Sequence, residues 1–155
     1  MTLPPIIQKR LETQGFVCSQ EQEFIAIVPW LRFTYALCAI LTGIGTWLAS
    51  PPLLFTLAII ALIGAIFPVH PFDLLYNYGI RFLTGTKPLP KNGTPKRFAC
   101  GMGAIWLAVT ALLFQSGATP WGYALGGLFT AVAGMAALTY FCMPSTMYGM
   151  LFRRR

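Results

Sequence analysis

The side chains of this sequence that could do chemistry are few, and the first group is a histidine–aspartate pair. His70 and Asp73 are the one histidine and the one aspartate of the chain. They are three residues apart, so a helix would place them on one face, where they could form an acid–base pair. The same residues suit a helix start, because Pro71 fits the first helical position and a carboxylate complements the positive helix end. We favour helix initiation, and His70 with Asp73 remains a speculative site.

Four cysteines form the second group. Cys100 and Cys142 lie at the ends of two apolar runs, and the topology given below places both ends on one side of a membrane. With Arg97 nearby, a thiol there could ionise and do redox or sulfur-transfer chemistry. The alternative, which we favour from the sequence, is that each Cys packs as a small apolar residue. Cys18 and Cys38 fall on the same reducing side, so we expect no structural disulfide.

No cofactor or metal site is predicted from the sequence. One histidine cannot supply bis-histidine haem ligation, and no Cys-x-x-Cys-His sequence is present. The net charge of +7 comes without a nucleic-acid-binding motif, and its basic residues flank apolar runs, so we expect no nucleic-acid partner. Enzymatic activity stays open, and we lean against it.

The elements that must position these residues are apolar helices. Hydrophobic residues make up 56% of the chain and charged residues 10%, against about 25% charged in soluble domains. Four runs without charged residues reach the roughly 17 residues that a membrane crossing needs: 33–49, 53–69, 98–114 and 121–143. We predict an all-α membrane protein with four transmembrane helices arranged as two hairpins. The absence of charge inside these runs argues against a pump or ion-coupled transporter.

The distribution of basic residues predicts the orientation. All eleven Lys and Arg residues lie in the N-terminal arm, the loop 70–97 or the C-terminal tail, and none lies in the two short connections. By the positive-inside rule we expect a multi-pass protein of the bacterial inner membrane with both termini cytoplasmic. The residues expected at the membrane surface are Arg32, Arg81, Lys96, Arg97, Arg153, Arg154 and Arg155.

Three regions follow from this pattern. Residues 1–32 form a cytoplasmic N-terminal arm with short amphipathic helices, residues 33–152 the transmembrane domain, and residues 153–155 a basic tail. Within loop 70–97, an amphipathic helix is predicted to lie along the membrane surface. Its expected apolar face comprises Phe72, Leu75, Tyr76, Gly79, Phe82 and Leu83.

Small residues are expected to mediate packing between the helices, because lipid gives helices no hydrophobic reason to associate. The candidates are Gly122, Gly126, Gly134, Gly101, Ala104 and Ala108. Gly122 and Gly126 form a GxxxG pair. Internal contacts are the use we favour, and dimerisation is the alternative.

Several segments together carry a family resemblance. The segments FDLLYNYGIRFL, GTKPLP, PKRFACGMG and FCMPSTMYGMLF resemble the small bacterial integral-membrane family catalogued as domain of unknown function 4395, over about Pro29 to Phe152. The resemblance implies a four-helix inner-membrane protein with a cytoplasmic connecting segment, and no assigned activity. Some members have a Cys-x-x-Cys near the end of the last helix. Here those positions read Cys142-Met143-Pro144-Ser145, without the second sulfur.

Two functions remain open at this point. The first is a non-catalytic accessory or structural subunit of a larger inner-membrane complex, whose partners are the lipid bilayer and other membrane-protein subunits or a second copy. It is favoured by the uncharged helices and the small packing residues. The second is a cytoplasmic-facing thiol-redox or sulfur-handling membrane protein that uses Cys100 and Cys142.

Overall fold

The computed structural model describes residues 3–16, 18 and 22–152, and every regular element within them is a helix. The α-helices are α1 (Pro5–Thr13), α2 (Gln22–Ile27), α3 (Phe33–Trp47), α4 (Pro51–Ile66), α5 (Pro71–Leu75), α6 (Arg81–Thr84), α7 (Thr94–Gln115), α8 (Thr119–Thr139) and α9 (Met143–Phe152). A 3₁₀ segment, Val28–Arg32, joins α2 to α3, and a π-helical turn, Tyr76–Ile80, joins α5 to α6. The basic tail expected at 153–155 lies outside the described residues.

Three helical stretches are long and apolar enough to cross a membrane: Gln22–Trp47, Thr94–Gln115 and Thr119–Thr139. A fourth candidate, Pro51–Ile66, passes the same test together with Pro71–Thr84, from which it is bent by 87°. The described chain is therefore all-helical, with three or up to four candidate spans.

Prolines set where the long helices begin. Pro51, Pro95 and Pro120 each stand in the first turn of a helix, where the missing N–H costs nothing. Because Thr94 and Pro95 already start α7, this helix begins before the predicted run 98–114. The first turn of α7 therefore includes Lys96 and Arg97, which were expected in the loop.

The end of α8 also differs from the predicted run 121–143. The helix stops at Thr139, and Tyr140 adopts a left-handed conformation with φ of 57°. Three side chains of the N-terminal arm donate hydrogen bonds to carbonyl oxygens at this helix end. Arg10 donates to the carbonyl oxygen of Thr139 at 2.5 Å, and Gln14 donates to that of Tyr140 at 2.8 Å. Arg32 donates to the carbonyl oxygen of Leu138 at 3.3 Å. These donors satisfy groups that a helix end leaves unpaired, so the apolar sequence continues as a separate helix, α9.

The two hairpins pack crosswise. Helix α4 lies mainly against α7, and α3 lies mainly against α8. Leu54, Leu57 and Leu107 are fully buried at the centre of this bundle. Small residues allow close approach at some of the expected positions: Gly126 faces Thr46, Gly122 faces Phe114, and Gly101 faces Ala65. A methyl group at Gly134 would meet nothing within 4 Å.

The segment from Phe67 to Gly93, here called the bridge, connects α4 to α7. Pro68 turns the chain away from α4, because the residue before a proline is held in an extended conformation. The expected single apolar face is divided: Phe72 and Tyr76 are buried in the protein, whereas Leu83 is 89% exposed. The π-helical turn explains this division, since its extra residue shifts the periodicity halfway along the helix.

Candidate functional site

The bridge begins with a capped helix start. His70 precedes α5, its Nδ1 accepts a hydrogen bond from the backbone N–H of Phe72 at 3.2 Å, and Pro71 occupies the first helical position. This arrangement places Asp73 in the first turn, as expected for helix initiation. It also directs the Asp73 side chain into the protein, where it is 3% exposed.

Asp73 is the centre of a buried polar cluster. Thr34 Oγ1 donates to one carboxylate oxygen, and Asn92 Nδ2 donates to the other at 3.1 Å. Lys96 Nζ lies 3.5 Å from that second oxygen. Burial alone would raise the pKa of Asp73, but the charge of Lys96 and these hydrogen bonds outweigh it, so the pKa lies below its ordinary value. Asp73 is therefore an anion that joins α3, the bridge and α7.

Lys96 is the cation of this cluster and is only 2% exposed. Its Nζ lies 5.4 Å from the centroid of the Phe16 ring and 5.6 Å from that of Tyr35. The expected place of Lys96 at the membrane surface is therefore corrected: Asp73 and the two ring faces hold it inside. The neighbouring Arg97 instead donates to the carbonyl oxygens of Ala65 and Ile66, at 3.0 and 2.5 Å.

His70 is 4% exposed and lies against α4. A Cβ at Gly64 would lie 2.2 Å from His70 Cδ2, so only glycine leaves room for the ring. Burial lowers the pKa of His70 to about 4, with Lys96 acting in the same direction and Asp73 opposing it. The imidazole is neutral near pH 7. Because Nδ1 bonds Phe72 and the oxygens of Asp73 have other partners, the two residues do not share a hydrogen bond as an acid–base pair would.

Beside this cluster lies a cavity of about 110 Å³ among α3, α4, α7 and α8. Three of the four thiols line it: Cys38 of α3, Cys100 of α7 and Cys142 of the connection between α8 and α9. Lys96, His70 and Tyr35 line it as well. The structure thus brings the expected pair Cys100 and Cys142 to one cavity, together with His70, and places Asp73 behind Lys96.

The three thiols are free, and they line the same cavity as the Tyr35 ring. Lys96 precedes Cys100 by one helical turn on the same face of α7. Cys142 is buried. Thiols exchange between the dithiol and disulfide forms where two sulfurs can meet, and this cavity is where three thiols come together beside a buried cation.

Cys18 lies apart from the cavity. Its Sγ is 3.7 Å from the carbonyl oxygen of Gln8 in the N-terminal arm. Burial, and secondly the charge of Glu12, raises the pKa of Cys18. Its thiol is therefore kept neutral.

Away from Lys96, His70 and Tyr35, the walls of the cavity are apolar. Trp106 and Phe129 meet edge to face with their ring centroids 5.9 Å apart. The indole N–H of Trp106 donates to the carbonyl oxygen of Leu125 at 3.1 Å, which fixes the ring between α7 and α8. Trp106 thereby forms part of the cavity wall.

The N-terminal arm closes the polar end of the site. Tyr35 donates from its hydroxyl to Gln14 Oε1 at 3.2 Å, and Phe16 covers Lys96. Gly15, with φ of +88°, lies directly against Gly93: a Cβ on Gly93 would come 2.8 Å from the carbonyl oxygen of Gly15. Two glycines are therefore needed where the arm crosses the start of α7.

Sequence reasoning missed Lys96, Tyr35, Thr34 and Asn92 as members of this site. Thr34 and Tyr35 lie in an apolar run, and Asn92 lies in a loop rich in proline and glycine. One usable signal was the single aspartate itself, because a carboxylate inside an apolar protein needs a cation as its counter-ion. Lys96, which follows after one loop, is a candidate for that counter-ion. Within the described residues, no group of three or more His, Cys, Asp or Glu side chains could hold a metal ion.

The comparisons with known proteins identify a family and no individual relative. A family model described as Domain of unknown function (DUF4395) matches residues 28–153. No curated protein and no solved structure matches the chain. Gln14 and Phe16, which close the site, lie outside the matched residues.

Proposed function

The chain belongs to the DUF4395 family, and we propose that it is a multi-pass membrane protein with a thiol-based function at its cytoplasmic end. The observation that carries this proposal is that Cys38, Cys100 and Cys142 all line one cavity. Cys100 and Cys142 act as the working pair, in thiol-redox or sulfur-handling chemistry. Packing alone explains one cysteine at a helix interface, and it explains less well three cysteines around one cavity beside a buried cation.

Lys96 has a defined role in this proposal. A thiol within an apolar wall is held neutral, so its reactivity depends on a charge that stabilises the thiolate when it forms. Lys96 lies one helical turn before Cys100 on the same face of α7 and lines the same cavity, which places its charge to act in this sense. Asp73 and its hydrogen-bond partners hold the Lys96 side chain at the cavity. Lys96 and Asp73 are therefore positioning residues, and the reacting atoms are the sulfurs.

Maleimide labelling in inverted membrane vesicles tests this role. We expect Cys100 or Cys142 to react from the cytoplasmic face. The double variant Lys96→Met with Asp73→Asn should slow that reaction about tenfold, because losing the cation should lower the fraction of thiol present as thiolate by roughly that factor. Lys91→Met, which removes an exposed lysine of the same loop, is the matched control and should label at the wild-type rate. Complete inertness of both thiols in the wild-type protein would overturn the proposal.

The location proposed for the protein is the bacterial inner membrane, with both termini cytoplasmic. It is supported by the charge distribution, since the connections Ser50–Pro52 and Gln115–Pro120 have no basic residue. The bridge would then lie along the inner leaflet, with Leu75, Phe82 and Leu83 exposed towards lipid and Arg81 towards headgroups. A C-terminal green fluorescent protein fusion should fluoresce, and a C-terminal alkaline phosphatase fusion should be inactive. The reverse pattern would contradict this topology.

A second candidate function, the accessory subunit, is supported by helix α9. Met143, Met147, Met150, Leu151 and Phe152 are all exposed along this short helix. Methionine-rich surfaces adapt to partners, so α9 suits contact with another membrane-protein subunit or a second copy. If the protein is purified in mild detergent at its native expression level, this function predicts that a partner co-purifies in stoichiometric amount. The variant Met150→Lys should then lose that partner. A protein that always runs alone would exclude it.

A further inference from the structure

The wall of the cavity between α7 and α8 consists of residues that are only partly buried, among them Met102, Gly103 and Phe129. A single, partly exposed layer of side chains therefore separates the cavity from this side of the bundle. A Cβ at Gly103 would lie 3.5 Å from the Phe129 ring, in ordinary van der Waals contact, so a side chain larger than alanine at this position would press against Phe129 and narrow this side of the cavity. In a membrane, this side of the bundle faces the hydrocarbon. A molecule dissolved in the bilayer could therefore enter without crossing water.

The size and the lining of the cavity define what fits. About 110 Å³ is somewhat below the roughly 150 Å³ of a cavity known to hold one benzene molecule. A single six-membered ring therefore needs the flexible side chains of Met102 and Met143 to move aside. Trp106 and Phe129 place aromatic rings in the cavity wall, against which another ring can pack. At the other end, the Lys96 ammonium can donate to a carbonyl oxygen.

From this combination we propose that the cavity binds the ring of a lipid-soluble quinone, which oxidises the pair Cys100 and Cys142. This inference rests on the proposed thiol function and names its electron acceptor. The two thiols lose two protons and two electrons and form one S–S bond. The quinone takes up the same two electrons and two protons and leaves as the hydroquinone.

Other occupants fit these features less well. A lipid acyl chain has no group for Lys96 to bind, and it accepts no electrons. A protein disulfide cannot enter an apolar cavity of this size. A quinone combines a planar ring, carbonyl acceptors, solubility in the bilayer and the capacity to accept two electrons.

The test uses the reduced full-length protein in lipid nanodiscs with a short-chain ubiquinone analogue as the probe. Loss of quinone absorbance and formation of the Cys100–Cys142 disulfide are measured together, and we expect one hydroquinone per disulfide. Ala133→Phe fills the cavity from α8 and should slow the quinone reaction at least about tenfold, a barrier increase of roughly 1.4 kcal/mol. Ala131→Phe, an exposed position on the same helix, is the matched control and should react as wild type.

A second oxidant separates the two proposals. Copper–phenanthroline should form the same disulfide in the wild type and in Ala133→Phe, which shows that the substitution leaves the two thiols able to meet. If it does so while the quinone remains unreduced, the quinone inference is overturned and the thiol function stands. If neither oxidant forms the disulfide, the thiol function itself is overturned. Quinone rates equal to that of the wild type in both Ala133→Phe and Gly103→Val, which narrows the cavity beside Phe129, would also overturn the inference.

Discussion

The Asp73–Lys96 pair connects three segments that the chain order keeps apart. Taking two charges out of water costs several kcal/mol per ion, and their attraction offsets this only with additional hydrogen bonds. Thr34 and Asn92 supply those bonds to Asp73. Such a pair contributes little net stability. We infer that its value lies in specifying how α3, the bridge and α7 come together.

Removing one member of the pair should therefore be far more harmful than removing both. Asp73→Asn alone leaves Lys96 buried without a counter-ion and should destabilise the protein by about 3–5 kcal/mol. Lys96→Met alone should cost a similar amount. The double variant should recover most of that loss, as measured by chemical unfolding in detergent. Additive effects of the two substitutions would show that the residues do not act as a pair.

His70 predicts a pH dependence of stability. Its pKa in the folded protein is about 4, below the ordinary value of 6.5, so as the pH falls the unfolded chain binds a proton first. The contribution of His70 to the free energy of unfolding is complete above pH 6.5 and is lost as the pH falls towards 4. The total loss is on the order of 3 kcal/mol. Asp73 stays ionised across this window because its pKa is lowered.

Thermal unfolding between pH 7 and pH 5 measures this effect. The melting temperature of the wild type should fall with pH, and that of His70→Asn, which keeps a side-chain acceptor for the Phe72 N–H, should fall much less. Equal pH slopes for the two proteins would show that His70 is not buried in its neutral form.

At the scale of elements, the corner between α4 and the bridge depends on one glycine. Gly64→Ala should be destabilising by about 1–3 kcal/mol, because the new methyl group displaces the His70 ring from its place beside α5. Gly134→Ala is the matched control: it lies in a helix with no atom within 4 Å of the added Cβ and should be neutral or slightly stabilising. Melting temperatures of the two variants in one detergent provide the comparison, and equal losses would contradict the tight corner.

The elements themselves were largely predictable, and the exceptions have physical causes. Apolar composition alone predicts the helices α3, α4, α7 and α8, because runs without charge leave no face for water. The early start of α7 was missed because Lys96 was assigned to the membrane surface by its charge. The early end of α8 was missed because its C-terminal carbonyls are bonded by Arg10 and Gln14, which are more than 120 residues away in sequence.

The site was less predictable than the elements. Sequence position placed Cys100, Cys142 and His70 at one end of the predicted bundle, and the structure places them around one cavity. Lys96 and Tyr35 could not be assigned, because no local pattern shows which side of a helix faces a cavity rather than a neighbouring helix. Pairing between distant segments is decided by tertiary packing, which a single sequence does not display.

For the whole molecule, the crosswise packing explains why a cavity exists. The close pairs are α4 with α7 and α3 with α8. Cys38 and Cys100 therefore belong to different helix pairs, and both line the cavity where the two helix pairs join. The N-terminal arm covers this place at one end with Gln14 and Phe16. The site is thus assembled from every long helix and closed by a segment that precedes them.

The central claim is that Cys100 and Cys142 act as one dithiol pair, and disulfide mapping tests it most directly. Membranes containing the protein are treated with a mild oxidant, remaining thiols are blocked, and linked peptides are identified by mass spectrometry. The account predicts an intramolecular peptide pair joining Cys100 to Cys142, with Cys18 left free. If both thiols are instead recovered unlinked, while Cys18 reacts normally, the claim is contradicted.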